Sequence, residues 1–402
     1  MTGSAPALAA RRRALEGRRY ARLLAARALE ALGWGSQREP EATWLVGERR
    51  GLSAEDTGYH FFRYCREHHP GRPIYFVCRR NAKGREAAEA LGNVLDYGSV
   101  RAARMALRAR AFFYSDCCQD FIHDWPRIAP HLRADARFVF LQHGVIGLSG
   151  MGRFYERSEM QRRSERLDLF VASSPRERDL IVEQLGHARE EVLLSGLSRF
   201  DSLRQAPPPR PELLVAPTFR PWLRAASAEA MRRSEYFQRW QGLLDDRRLH
   251  RILERHDLRL HFAPHFAMGA HLRLFRASHA RIRILDLDSE PLHRWIRRAA
   301  LAITDYSSLS FDLALLERPV LYHPFDAARF HESRGARLLG EDELPGPLLE
   351  SRGALLEALE SHARTGFVLR EPYLGRARAL VGGPGGSSSE RIFEAIEARL
   401  ER

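Results

Sequence analysis

Apolar positions in this chain gather into short, almost unbroken runs. TWLVG (43–47), PIYFVC (73–78), AFFYS (111–115), FVFLQ (138–142), LFVAS (169–173) and VLLSG (192–196) follow one another through the first half. Each is brief and rich in β-branched or aromatic residues, which predicts strands. Stretches such as 84–91, 100–109 and 175–185 lie between them and read as helices. Continuous apolar strands spaced by helices predict a parallel sheet covered on both faces. RQAPPPRPE (204–212) then interrupts the pattern, since four prolines in nine residues fit neither a helix nor a central strand. A second series begins at once: LLVAP (213–217), LRLHF (258–262), IRILD (282–286), ALAIT (300–304) and PVLYH (319–323). A Gly/Ser-rich loop and a closing helix end it. The pattern predicts an α/β protein of two doubly wound, Rossmann-type units, 37–205 and 206–402. Their ligand cleft is expected between the facing carboxyl ends of the strands.

Residues 5–33 differ from both series, being rich in Ala, Leu and Arg with no proline between Pro6 and Pro40. They predict a long helix with Leu8, Leu15, Leu24 and Leu32 along one stripe and arginines largely elsewhere. A basic amphipathic segment over 1–36 suits an anionic membrane surface, or packing on the unit that follows.

The formal charge of +13 points to an acidic partner. Lys83 is the sole lysine, so the basicity is almost all arginine and is spread along the chain. No zinc-finger spacing, RNP-like aromatic motif or basic-heptad region accompanies it, so nucleic acid is not the expected partner. Phosphates or an anionic membrane surface serve equally well. Cys65, Cys78, Cys117 and Cys118 have no ligand spacing, as free thiols of a reducing compartment would. No apolar run approaches 18 residues and no signal-peptide core opens the chain. The expected location is cytoplasmic, peripheral at the inner face of the cell membrane.

Polar residues of interest fall just beyond the strands. His143 and Gly144 follow FVFLQ, Arg220 follows LLVAP by way of Thr218, and His265 follows LRLHF. Thr304, Asp305, Tyr306, Ser307 and Ser308 crowd the junction where ALAIT meets a helix. Helix capping accounts for one hydroxyl at such a place. A phosphate held on the helix N-terminus accounts for several. Phosphoryl transfer would employ a histidine as base, and cationic and N–H donors around the phosphoryl oxygens. Arg220 suits bidentate contact with a phosphate. No carboxylate cluster of the kind that holds Mg²⁺ stands out, so neither metal nor cofactor is expected.

LQHGVIG, GLSRFDSL, LLVAPTFR, SEYFQRWQGLL, HFAPHF, ITDYSSLSFDLALLERPVLYHPFD and GSSSERI occur in that order. With them the chain, over roughly 105–396, resembles the CDP-glycerol glycerophosphotransferase family, which builds teichoic acids and capsule polymers. The resemblance implies a GT-B-like fold, with the acceptor on the first unit and the CDP-alcohol donor on the second. It implies transfer of glycerol phosphate from CDP-glycerol to a hydroxyl of a lipid-linked or polymeric acceptor, with release of CMP. Carried over by position, His143 is the catalytic base and His265 the second catalytic histidine, near the donor phosphates. Arg220, Thr304, Ser307 and Ser308 become diphosphate contacts, with Asp305, Gly144 and Ser388 as further candidates. Asp312 and Asp201 match motif positions that also suit bracing. Leu148 stands where many relatives have lysine, and Gly385–Gly386 replaces a common Asp-Gly. CDP-ribitol or a sugar nucleotide is the alternative donor. A non-catalytic basic protein binding nucleic acid or membrane is the alternative of another class.

Overall fold

A computed structural model of the protein describes residues 42–122 and 125–401. The helix predicted within 1–36 lies outside the described residues. The first sheet comprises β1 (Trp44–Gly47), β2 (Ile74–Cys78), β3 (Val94–Asp96), β4 (Ala111–Tyr114), β5 (Arg137–Phe140), β6 (Leu169–Ala172) and β7 (Val192–Leu194). Its order is β3-β2-β1-β4-β5-β6-β7, with every pairing parallel. The second comprises β8 (Glu212–Val215), β9 (Arg259–Phe262), β10 (Ile282–Ile284), β11 (Leu301–Thr304) and β12 (Val320–Tyr322). Its order is β10-β9-β8-β11-β12, again all parallel. Both are doubly wound, reversing direction between β1 and β4 and between β8 and β11, where such sheets open a crevice.

The continuous apolar runs are explained by burial on both faces. Along β8, Leu213 and Val215 enter one core, while Leu214 and Ala216 beyond it enter another. Leu301 and Ile303 of β11 likewise oppose Ala302. β3 was not expected. Of its three residues only Leu95 is fully buried, so this edge strand leaves no apolar run to read.

The prolines of 207–211 mark the passage from one sheet to the other, and the Arg318 guanidinium fixes that passage by donating to the Pro207 carbonyl at 2.9 Å. The end of the chain departs from the expected 206–402 unit. The helix Ser388–Leu400 returns to the first sheet, because its apolar face (Ile392, Phe393, Ile396) buries there. Phe393 lies 5.1 Å from the Trp44 ring and stacks on His69 at 3.7 Å. Among the described residues no helix is long and apolar enough to cross a membrane.

Candidate functional site at the facing strand ends

His143 stands beyond β5, with its backbone turned by Gln142 at φ +60°. Its Nδ1 is 3.1 Å from Asp116 Oδ1, beyond β4, and 3.3 Å from the Tyr155 hydroxyl. Its side chain is 41% exposed, and both of these contacts are made by Nδ1. The platform beneath is rigid. Glu177 accepts from the N–H groups of Ile146 at 2.8 Å and Ser173 at 2.6 Å, holding the loop after His143 against β6. Buried Asp120 accepts from the N–H groups of Ser115 and Asp116, which fixes the turn carrying Asp116.

The second unit meets this rim closely. A Cβ on Gly144 would stand 2.5 Å from Ser308 Oγ, so only glycine allows the two surfaces this approach. Ser308 opens the helix Leu309–Leu315 with no side-chain capping bond, and Ser307 makes only a long one, to Leu309 N–H at 3.4 Å. Both serines are partly exposed beside the histidine.

Arg199 locks the two units together beneath the site. Its guanidinium reaches Asp312 at 2.9 and 3.0 Å, Asp56 at 3.2 Å and the His143 carbonyl at 2.7 Å. Burial works against a charge on Asp56, but Arg199 and Arg49 override it and hold the carboxyl below its ordinary range. Asp312 and Asp56 therefore hold the histidine's backbone in place through one cation.

His265 lies beyond β9, between the rings of Phe219 at 4.9 Å and Phe266 at 4.2 Å. Its Nδ1 accepts from Ala267 N–H at 3.1 Å. Arg49, from the first unit, sits 5.6 Å from the Phe266 ring, and Arg334 lies 4.5 Å from Phe219. Burial, with Arg49 and Arg334 adding to it, pushes the His265 imidazole down to about 3. At neutral pH it is an uncharged donor between two cations, a setting that suits an arriving anion.

That depressed value has a measurable consequence. A histidine near 3 when folded and about 6.5 when unfolded makes the fold lose stability as pH falls below 6.5. The loss from this group reaches about 2 kcal/mol at pH 5. In urea unfolding at pH 7 and pH 5, His265→Gln should therefore lose about 2 kcal/mol less than the wild type. Equal losses would show that His265 titrates normally.

Four expectations for the donor side are corrected. Arg220 is 0% exposed and cannot reach a bound phosphate. It donates to both Asp326 oxygens at 2.7 and 2.8 Å and to the Thr218 carbonyl at 2.6 Å, and pairs with Asp305 Oδ2 at 2.8 Å. The rings of Tyr236, Tyr306, Phe325 and Phe330 enclose it. Thr304 is also buried, and its hydroxyl donates to the Ala216 carbonyl at 2.7 Å. Asp305 accepts from the N–H groups of Thr218 and Tyr306, bracing two loops instead of facing the cleft. Ser388 lies elsewhere, in the first turn of the last helix. There Asp201 accepts from the N–H groups of Ser388 and Ser389 and from the Ser387 hydroxyl. Asp201 is thus a helix cap that ties the chain's end to the first unit.

The structure consequently brings His143, Gly144, Ser307, Ser308 and His265 to one cleft, and adds Asp116, Tyr155, Arg49 and Arg199. Asp116 carried the same signal as its neighbours, a polar residue just beyond a strand. No group of three or more His, Cys, Asp or Glu side chains among the described residues is placed to hold a metal ion.

Residues 41–398 match the family model described as CDP-Glycerol:Poly(glycerophosphate) glycerophosphotransferase. The minor teichoic acid biosynthesis protein GgaB of Bacillus subtilis is 23% identical over 369 residues, covering 88% of this chain and 39% of that protein. A teichoic acid glycerol-phosphate transferase of Staphylococcus aureus is 24% identical over 319 residues, covering 72% of this chain and 76% of the relative. The chain therefore spans well under half of the first relative. Among solved structures, the wall teichoic acid polymerase TagF superposes with a TM-score of 0.70 at 14% identity, over 100% of this chain and 99% of that one. The S. aureus MnaA–UDP structure does so at 0.54 and 13%, over 90% and 97%. Both likenesses are of fold, and they establish the GT-B-like arrangement of the two sheets.

Proposed function

Because the chain belongs to the CDP-glycerol:poly(glycerophosphate) glycerophosphotransferase family, we propose that it moves glycerol phosphate from CDP-glycerol to an acceptor hydroxyl in teichoic-acid-like polymer synthesis. The observation that carries this reading is the His143–Asp116 pair at 3.1 Å, facing the start of the helix Leu309–Leu315 across the contact of Gly144 with Ser308. With Nδ1–H donating to Asp116, the other ring nitrogen is free to accept a proton, and the carboxylate stabilises the imidazolium that results. The acceptor oxygen then attacks the β-phosphorus of CDP-glycerol. The bond from that phosphorus to the bridging oxygen breaks, and CMP departs with the electron pair. Charge on the phosphoryl oxygens is met by the N–H groups and hydroxyls of Ser307 and Ser308, by His265 and by Arg49. Desolvation between the rings of Phe219 and Phe266 strengthens the contact made by His265.

A lipid-linked acceptor places the reaction at the inner face of the cell membrane, where the arginine-rich 1–36 segment meets anionic headgroups. The test is CMP release by the purified protein, with the acceptor either in anionic vesicles or in detergent. CDP-glycerol should yield CMP, and faster in vesicles. Release from CDP-ribitol alone, or from neither donor, overturns the donor assignment. Equal rates in vesicles and detergent overturn the membrane placement.

A further inference from the structure

A second basic cavity lies away from the cleft, at the amino ends of the strands whose carboxyl ends carry the site. It encloses about 770 Å³ between β9, β10 and the helix Leu292–Ile296. Five arginines line it, Arg259, Arg281, Arg283, Arg294 and Arg298, against three carboxylates. Arg281 is held by Asp257 at 2.6 Å, Arg283 by Glu290 at 2.7 Å, and Arg298 by Glu212. Arg259 and Arg294 have no carboxylate partner among the described residues and are exposed. The cavity thus carries an excess of two positive charges.

Its floor is unsatisfied. The His261 ring is 7% exposed and, among the described residues, neither nitrogen has a hydrogen-bond partner, the Glu212 carboxylate standing 3.7 Å from Nε2; Trp295 Nε1, in a side chain 4% exposed, has none either. The two rings touch, with centroids 4.1 Å apart. Burial pushes His261 down to about 4, so at neutral pH it is a neutral ring with one donor and one acceptor. Buried donors without acceptors are costly, and an anion's oxygens would satisfy them. The guanidinium groups of Arg298, Arg283 and Arg294, at 5.0, 5.5 and 5.9 Å, surround the indole, which leaves it no open face for stacking a base.

We propose that this cavity binds two consecutive phosphodiester groups of a glycerol-phosphate chain, holding acceptor or product polymer apart from the donor cleft. The occupant rests on the reaction proposed above. The volume is too large for one phosphate, the two unpaired arginines match two monoanionic phosphodiesters, and the closed indole disfavours a nucleotide. Such a site would keep a growing chain on the enzyme between transfers and raise its effective concentration at the cleft.

The test compares wild type with Arg259→Ala/Arg294→Ala. Both side chains are exposed, and thermal melting monitors the fold. A synthetic glycerol-phosphate hexamer should bind the double variant about tenfold or more weakly. CDP-glycerol affinity and transfer to a single-unit acceptor should be unchanged. Trp295→Phe, which keeps an aromatic side chain and removes the N–H, should also weaken the hexamer. Unaltered hexamer binding in the double variant overturns the proposal. So does loss confined to phosphatidylglycerol vesicles, which would make the occupant a lipid headgroup, or equal competition by inorganic phosphate, which would make it a single-anion site. Hexamer binding that depends on these arginines in a protein releasing no CMP would leave the site standing and remove the transfer reaction. The opposite pattern would remove the site alone.

Discussion

His143→Ala is expected to cut turnover by about 10²–10⁴-fold, the range that general-base assistance contributes, while CDP-glycerol binds the variant as it binds the wild type. The separation follows from where the residue sits. His143 projects from the first unit, and the groups placed around the donor phosphates, Ser307, Ser308 and His265, belong to the second. Alanine retains the backbone carbonyl that Arg199 holds at 2.7 Å, so the junction between units survives the substitution. The ring is 41% exposed and fills no core, so little stability is at stake. Single-turnover rates and donor affinity, measured on the same preparation, check both halves of the expectation. Asp116→Asn should fall between the two, because it keeps the histidine's neighbour and removes the charge that favours the imidazolium. A folded His143→Ala protein transferring at the wild-type rate would remove the histidine from the mechanism.

Arg220→Met should destabilise the protein by about 3–5 kcal/mol, the usual cost of stranding a buried ionic partner. Here two partners are stranded, because Asp305 and Asp326 both lose their cation in surroundings from which water is excluded. Methionine fills much of the guanidinium's space among the four rings, which makes the loss electrostatic and not a matter of cavity volume. Per folded molecule, donor affinity should stay near the wild-type value. Urea unfolding gives the first quantity and calorimetric titration of the folded fraction gives the second. A stable variant with weakened donor binding would reverse the assignment and make Arg220 a phosphate ligand after all.

That reversal in reading Arg220 shows where sequence ran out. The strand runs were legible because burial on both faces leaves no polar residues inside them, and the change of sheet was legible in its prolines. His143, Ser307, Ser308 and His265 were legible as polar residues just past strands, which is where these sheets bind ligands. The same rule led to Arg220 and Thr304, which meet it equally well but point inward. Whether a side chain beyond a strand faces the cleft or turns back depends on partners distant in sequence. Asp326 stands 106 positions from Arg220, and nothing near LLVAPTFR announces it. Arg199 was hidden for the same reason, since its partners Asp56 and Asp312 lie 143 positions before it and 113 after it. The packing of the last helix depended on an apolar face that either sheet would have accepted.

The way the cores are divided bears on cooperativity. One cluster of buried side chains holds Val46 and Phe113 of the first sheet together with Ala302, Phe311 and Tyr322 of the second unit, and Ile392 and Phe393 of the returning helix. Among the described residues, only the far face of the second sheet keeps a cluster of its own. Two sheets that share most of one apolar interior cannot melt independently, because unfolding either would strip cover from the other. A single thermal transition is therefore the expected result for the two units.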